Sequence, residues 1–311
     1  MYSVRAYRAA DAPAWDAVIA ASRNGNLLHR RGYMDYHAER FVDASLLVER
    51  GGAPVAVFPA NIEGTRVVSH AGLSYAGLLS VHGLRAVATL DVFEQIAAHY
   101  RAEGAHELVY KAVPHLFHSS PAEEDLYALH RLGARLQRRD LSSAIALRGR
   151  PPFAAERRRS IGKARKAGLH VQRSDDPAPL HALLVEVLQR HGATPTHSLD
   201  ELRLLRERFP EQILLYEVRD GATLLAGTVL YDFGHVVHTQ YLACSEQGRR
   251  VDALSLLLAD LIENRYAQRD YFSLGISTEQ QGRVLNDGLV TQKERFGARG
   301  VVHDFYVWDL R

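Results

Sequence analysis

Two stretches of this chain combine residue types that can meet an anion. Between Ser245 and Ala253 the sequence runs Ser-Glu-Gln-Gly-Arg-Arg-Val-Asp-Ala, after an alternating segment from His235 to Ala243 and before an apolar run from Leu254 to Ile262. A strand that ends where a helix begins presents unpaired backbone N–H groups and the positive end of a helix dipole. Gln247, Gly248, Arg249, Arg250 and Ala253 supply amides and charge at that place. The second stretch, Arg148 to Arg173, concentrates the basic residues, and Glu156 is its only acid before Asp175. Phe153, Arg157, Ile161 and Ala164 share one stripe of a helix there, while Arg159, Lys163 and Lys166 form an adjacent basic stripe that can face an anionic substrate. Gly168 ends this helix, in the position a left-handed C-terminal cap requires.

Other arrangements fail on inspection. Gly72-Leu-Ser74-Tyr-Ala76 approaches a nucleophile elbow, but the following Gly77-Leu-Leu-Ser-Val is not the helix that an elbow opens. His115 with His118, and His235 with His238, are spaced by three; on a strand such residues point to opposite faces, so no metal site is expected. Cys244 is the single cysteine, which excludes an intramolecular disulfide and suits a reducing cytoplasm; it reads as a small buried hydrophobe.

The elements that must position these residues occur twice. Before the midpoint we expect a strand at Ser3 to Tyr7, helices at Ala12 to Ala21 and Arg31 to Arg40, and a three-stranded meander at Ser45 to Arg50, Pro54 to Ile62 and Thr65 to His70. A loop and strand, a helix from Leu84 to Glu103, a strand from Glu107 to Val113, a helix from Glu123 to Leu132 and a strand pair from Arg135 to Leu147 come next. After the midpoint come a strand at Leu169 to Arg173, helices at Leu180 to His191 and Ser198 to Arg208, and a meander at Gln212 to Arg219, Thr223 to Tyr231 and His235 to Ala243. A long helix from Val251 to Gln268, a strand at Tyr271 to Gly275, a helix from Gly282 to Phe296 and a strand at Val301 to Leu310 complete the order. Two copies of one order argue for a duplicated α+β fold, with domains 1–150 and 151–311 divided at the Arg-Gly-Arg-Pro-Pro run.

A length of 311 residues suits two domains, and 47% hydrophobic with 24% charged residues is a globular composition. The formal net charge of +2 gives no general attraction to nucleic acid or membrane. Met1 to Ala10 lacks the apolar run of a signal peptide, and no stretch is long and apolar enough to span a bilayer, so a cytoplasmic location is expected.

The midpoint pattern Arg158-x-x-Ile161-x-Lys163-Ala164-x-Lys166-x-Gly168-Leu169 resembles the start of the C-terminal domain in Fem-type nonribosomal peptidyltransferases, proteins built from two GNAT-like acyltransferase domains in tandem. Gly275-Ile-Ser-Thr-Glu279, Asn286-x-Gly288-Leu289 and Lys293-Glu-x-Phe296-Gly297 resemble a tandem-GNAT group that includes sugar N-acyltransferases. Arg31-x-Tyr33-Met34-x-Tyr36-His37 with Asp43, and Tyr110-Lys111-x-x-Pro114-His115, are similar to the first domain of that group. The resemblance implies two tandem GNAT-like domains, each a mixed, mostly antiparallel sheet flanked by helices. It implies acyl-CoA as co-substrate, no metal, and a coenzyme pyrophosphate held near Ser245 to Ala253. The glycine-rich pattern expected there departs to Arg250, Ala253 and Ser255, while His82-Gly83-Leu84-Arg85 in the first half matches still less.

Acyl transfer to an amine needs a neutral amine, a stabilised oxyanion and a proton for the leaving thiolate. Glu279, His238 and Tyr241, near inferred strand ends, are the candidates for these proton transfers. The acceptor, a small molecule or a nucleotide-linked amino sugar, is expected on the first half at Arg31, Tyr36, His37, Tyr75, Lys111 and His115, with Lys163 and Lys166 contributing from the midpoint helix. The alternatives are a Fem-type enzyme using aminoacyl-tRNA, which the lack of a heptad arm disfavours, and a non-catalytic binding module.

Overall fold

The computed structural model describes residues 1–190 and 192–311; His191, the expected end of a helix, lies outside the described residues. By internal contacts the chain forms two units: Met1–Asp140 with Glu279–Val284 and Val302–Arg311, and Leu141–Thr278 with Leu285–Val301.

In the second unit the midpoint stripe builds the core. The helix Ala155–Lys166 buries Ile161 and Ala164, with Phe153 just before it, against the helix Ala253–Asp260, while Arg158, Arg159, Lys163 and Lys166 stay exposed. Gly168 ends the helix at φ +78°: its N–H bonds the Arg165 carbonyl, and the next N–H, from Leu169, bonds that of Ala164. The sheet runs Val171–Ser174, Ile213–Asp220, Thr223–Asp232, Val236–Cys244, Tyr271–Ile276 and then residues 142–146. Every pairing is antiparallel except that between Val236–Cys244 and Tyr271–Ile276.

The first unit has two groups of paired strands. Tyr2–Ala6, Leu46–Arg50, Ala53–Phe58 and Leu79–Ser80 form one antiparallel sheet. Val42–Asp43, Asn61–Glu63, Arg66–Val68, Glu107–Lys111 and residues 305–309 form the other, with Arg66–Val68 parallel to Glu107–Lys111. Helix Ala86–Ala102 packs Val92, Phe93, Ile96 and Tyr100 into this unit's core.

Several expectations are corrected. The strand expected from Pro54 to Ile62 breaks after Phe58, because Pro59 has no N–H for a ladder; the pieces on either side join different sheets, so no three-stranded meander forms. The expected strand pair from Arg135 to Leu147 is one strand, Arg135–Ala146. The helix expected over Arg31 to Arg40 is a single α turn, Arg31–Met34, followed by a tighter turn interrupted at His37. The long helix expected from Val251 starts after Asp252, which takes left-handed backbone at φ +58°; it runs as Ala253–Asp260 and ends in a wide π turn, Leu261–Arg265. The helix expected from Gly282 begins only at Asp287, where the Asn286 side chain accepts the Leu289 N–H.

The units change over at Asp140/Leu141, inside a strand, rather than at 150/151, and the final strand Arg299–Asp309 ends in the first unit. The Arg-Gly-Arg-Pro-Pro run is anchored in the second unit: Leu147 N–H bonds the Asp270 carbonyl, Ala154 N–H that of Arg295, and Arg150 pairs with Glu263 at 3.0 Å.

Ile161→Ala should lower unfolding stability by about 2–4 kcal/mol, whereas Lys163→Ala, two positions on but exposed, should change it by less than about 0.5 kcal/mol. Urea titration followed by circular dichroism reads both; equal effects would contradict this assignment of faces.

Candidate active site

The strand Val236–Cys244 has unequal neighbours. Along Thr223–Asp232 it pairs as far as Cys244, with Gln240 as an extra residue between the pairs Thr239↔Leu230 and Tyr241↔Val229. Along Tyr271–Ile276 it pairs only at Val236↔Tyr271, Val237↔Phe272 and His238↔Ser273. A bulge of this kind bends a strand and re-aims the residues beyond the bend. Tyr271–Ile276 has its own register shift on its other edge, between Ser273 and Ile276. The two parallel strands therefore part beyond His238, and backbone of residues 240–244 faces a gap rather than a ladder.

Both sides of the gap are held by polar groups. His238 Nδ1 lies 3.0 Å from Ser273 Oγ, and Thr239 Oγ1 donates to the Ser273 carbonyl at 3.3 Å. Buried Lys293 donates to the carbonyls of Gly275 at 2.8 Å and Ile276 at 2.7 Å and to Ser277 Oγ at 2.8 Å. Burial pulls its pKa down to about 8. Gly275 takes φ +73°, which lets the strand turn toward this ammonium.

Where Val236–Cys244 ends, Ser245 caps the short helix Glu246–Arg250: its Oγ accepts the Gly248 N–H at 3.0 Å and donates to the Leu225 carbonyl at 3.1 Å. Gly248 packs so closely on the sheet that a Cβ would sit 2.1 Å from the Leu225 oxygen. The turn places a cavity of about 300 Å³ beside the start of Ala253–Asp260, lined by Arg157, Leu242, Cys244, Gly248, Arg249, Asp252, Leu254, Ser255, Gln292 and Phe296. Burial pushes the Cys244 thiol pKa up, which disfavours a thiolate nucleophile.

Of the anion-site residues expected from sequence, Gly248 and Arg249 line the cavity. Arg249 is exposed and makes no ion pair among the described residues, whereas Arg250 is tied to Glu246. Gln247 is exposed near Asp220, and Ala253 is fully buried; neither these two nor Arg250 line the cavity. Sequence reasoning missed Arg157, Asp252 and Gln292. Arg157 had a signal, since an arginine in a stripe otherwise made of Phe153, Ile161 and Ala164 must find a polar partner.

The catalytic candidates fare differently. The Tyr241 hydroxyl is 2.6 Å from His197 Nδ1 and accepts the His197 N–H at 3.1 Å; burial raises its pKa, so it keeps its proton at neutral pH. His238 stands at the last parallel pair. Glu279 is exposed and groups with the first unit, while His238 and Tyr241 belong to the second.

In the first unit, most expected acceptor residues are engaged internally. Arg31 is buried between Asp35 and Asp43, both at 2.6 Å, with Tyr7 stacked on it at 4.0 Å. Burial opposes its charge, but the fields of Asp43 and Asp35 outweigh that and raise its pKa. Lys111 is buried, donates to the carbonyls of His70, Ala71 and Leu73, and burial lowers its pKa to about 7. Tyr75 is a core residue stacked on Phe117 at 4.6 Å, its hydroxyl accepting from Asn26. His37 is buried, 4.1 Å from the half-exposed Tyr36 ring and 5.4 Å from that of His70. Thus His37 and Lys111 meet at His70 with Tyr36 against His37, Arg31 and Tyr75 have structural partners of their own, and His115 is exposed. Lys163 and Lys166 are exposed without ion pairs among the described residues. No group of three or more His, Cys, Asp or Glu is placed to hold a metal among the described residues, and no helix among them is long and apolar enough to cross a membrane.

Residues 153–280 match the family model for the acetyltransferase (GNAT) domain. Over 99% of this chain and 97% of that one, the fold is similar to the crystal structure of FemX, with a TM-score of 0.68 at 12% identity. It is similar to the C-terminal domain (DUF2156) of a putative lysylphosphatidylglycerol synthetase from Agrobacterium fabrum, with a TM-score of 0.64 and 12% identity over 97% of this chain and 92% of that one. A tandem GNAT protein from the clavulanic acid biosynthesis pathway matches over 100% of this chain and 98% of that one, with a TM-score of 0.56 and 12% identity. No curated protein matches the sequence. At these identities the structures speak for the fold alone, which is a tandem GNAT-like fold, and the family match speaks for the cavity-bearing part: residues 153–280 match a GNAT acetyltransferase domain, which supports an acyltransferase.

Proposed function

We propose that the protein is an N-acyltransferase whose second half binds acyl-CoA and whose acceptor is an amine on a polar molecule, a nucleotide-linked amino sugar being the favoured class. The observation that carries the donor assignment is the cavity at the start of Ala253–Asp260, where Arg249, a cation without an ion pair among the described residues, meets a strand edge freed from its parallel neighbour. An extended pantetheine arm can add to that edge as a strand would, with its phosphates toward Arg249. A backbone N–H of the freed edge then offers an oxyanion donor to the thioester carbonyl. In this reading Tyr241, which holds its proton, protonates the departing thiolate, and His238 takes the proton from the attacking amine.

The acceptor assignment rests on the Fem-type resemblance. Tyr36 and His115 are the accessible members of the first-half set, and Lys163 and Lys166 are cations without ion-pair partners among the described residues. Arg31 and Lys111 then act in this reading through the loops they hold.

Isothermal titration with CoA should detect binding, and Arg249→Ala should raise the dissociation constant about tenfold while Arg250→Ala, whose guanidinium is tied to Glu246, changes it less than about threefold. If the folded protein binds aminoacyl-tRNA and not CoA, the donor reading is wrong.

Lys293 gives a pH test of the parted strands. Its folded pKa of about 8 lies below the ordinary 10.5, so the unfolded chain binds more protons between these values and the native state gains stability as pH rises through that window. Relative to Lys293→Met, the wild type should gain stability by up to about 1 kcal/mol per pH unit from pH 8 to 10, with a flat difference below pH 7. A difference independent of pH would show that the lysine keeps its ordinary affinity for protons.

A further inference from the structure

The donor reading leaves open which side chains grip the donor's phosphates, and the start of Ala253–Asp260 is poor in free backbone donors for the purpose. Ala253 and Ser255, rather than glycines, stand where a close approach of ligand to backbone would need bare Cα atoms. Recognition must therefore lean on side chains. One comes from a distant part of the chain: Arg157 Nη1 donates to Ser255 Oγ at 2.5 Å, across 98 positions of sequence. Its guanidinium also lies 4.6 Å over the Phe296 ring, which fixes its plane. Its Nε is buried without a hydrogen-bond partner, although a guanidinium carries five N–H donors and desolvating one unpaired is costly.

The charges facing the cavity are Arg157, Arg249 and Asp252, so the lining is net positive, as an anionic ligand requires. Burial, then the nearby Arg295, lowers the Arg157 pKa, but a guanidinium stays protonated in proteins. An anion seated here would meet the guanidinium of Arg157, which lines the cavity.

We propose that Arg157, oriented by Ser255 and Phe296, is a phosphate-binding residue of the donor cavity that substitutes for the glycine backbone missing at 253 and 255. The proposal rests on the acyl-CoA reading and deepens it.

The test compares CoA with pantetheine, which lacks the phosphates, by titration against wild type, Arg157→Gln and Ser255→Ala, with melting curves to verify folding. Arg157→Gln should weaken CoA binding about tenfold and leave pantetheine unchanged, and Ser255→Ala should weaken CoA two- to threefold or so through loss of orientation. Should Arg157→Gln fail to fold, Arg157→Lys, which keeps the charge without the planar fork, should weaken CoA about threefold with pantetheine again unchanged. Equal CoA affinity in the folded Arg157 variant overturns the inference alone, and so does parallel loss of CoA and pantetheine, the mark of a structural role. Absence of CoA binding to the wild type overturns the donor reading and this inference with it.

Discussion

Only three residue pairs join Val236–Cys244 to Tyr271–Ile276, and the architecture of the second unit depends on that short parallel contact. Were the ladder complete, the backbone of residues 240–244 would be satisfied within the sheet and closed to a ligand. Because it stops at His238, the strand keeps an apolar, well-paired flank toward Thr223–Asp232 and an open flank on the other side. The open arrangement needs support, since polar backbone left without partners is unfavourable. Register shifts on both strands supply the bend, and the Lys293 ammonium gathers two carbonyls and a hydroxyl at the far lip.

A similar device recurs in the first unit. Lys111 is buried and turned onto the carbonyls of His70, Ala71 and Leu73, as Lys293 is turned onto those of Gly275 and Ile276. Each lysine sits below its ordinary pKa because burial disfavours the charge, and each pins a loop next to a strand. A buried ammonium costs desolvation energy that its carbonyl partners must offset, so these loops are held in one geometry rather than left to sample many. Such fixed geometry suits a transferase, which must present two substrates in register.

The second half was largely legible in its sequence, because its strands alternate cleanly and its midpoint helix declares an inner stripe and a glycine cap. The first half was harder. Pro59 divides a run of strand-forming residues between two sheets, and no local pattern announces which sheet takes each piece. The unit boundary was obscured by composition, since the Arg-Gly-Arg-Pro-Pro run looks like a linker while its neighbours are tied down by long-range bonds. Cavity-lining residues obey the same rule: Gly248 and Arg249 lie in one local stretch of sequence. The partners that engage Arg31 and Lys111 come from Asp43 and from carbonyls 38 to 41 positions away. Arg157 meets its hydroxyl 98 positions along the chain, so only the fold could pair it with the cavity.

The central claim, that the parted strands and the helix start beside them receive the acyl donor, is tested most directly by hydrogen–deuterium exchange of the whole protein with and without acetyl-CoA. The account predicts slower exchange concentrated in peptides spanning residues 239–258 and 155–161. Slower exchange confined to peptides of the first unit, with residues 239–258 unchanged at saturating acetyl-CoA, would contradict it.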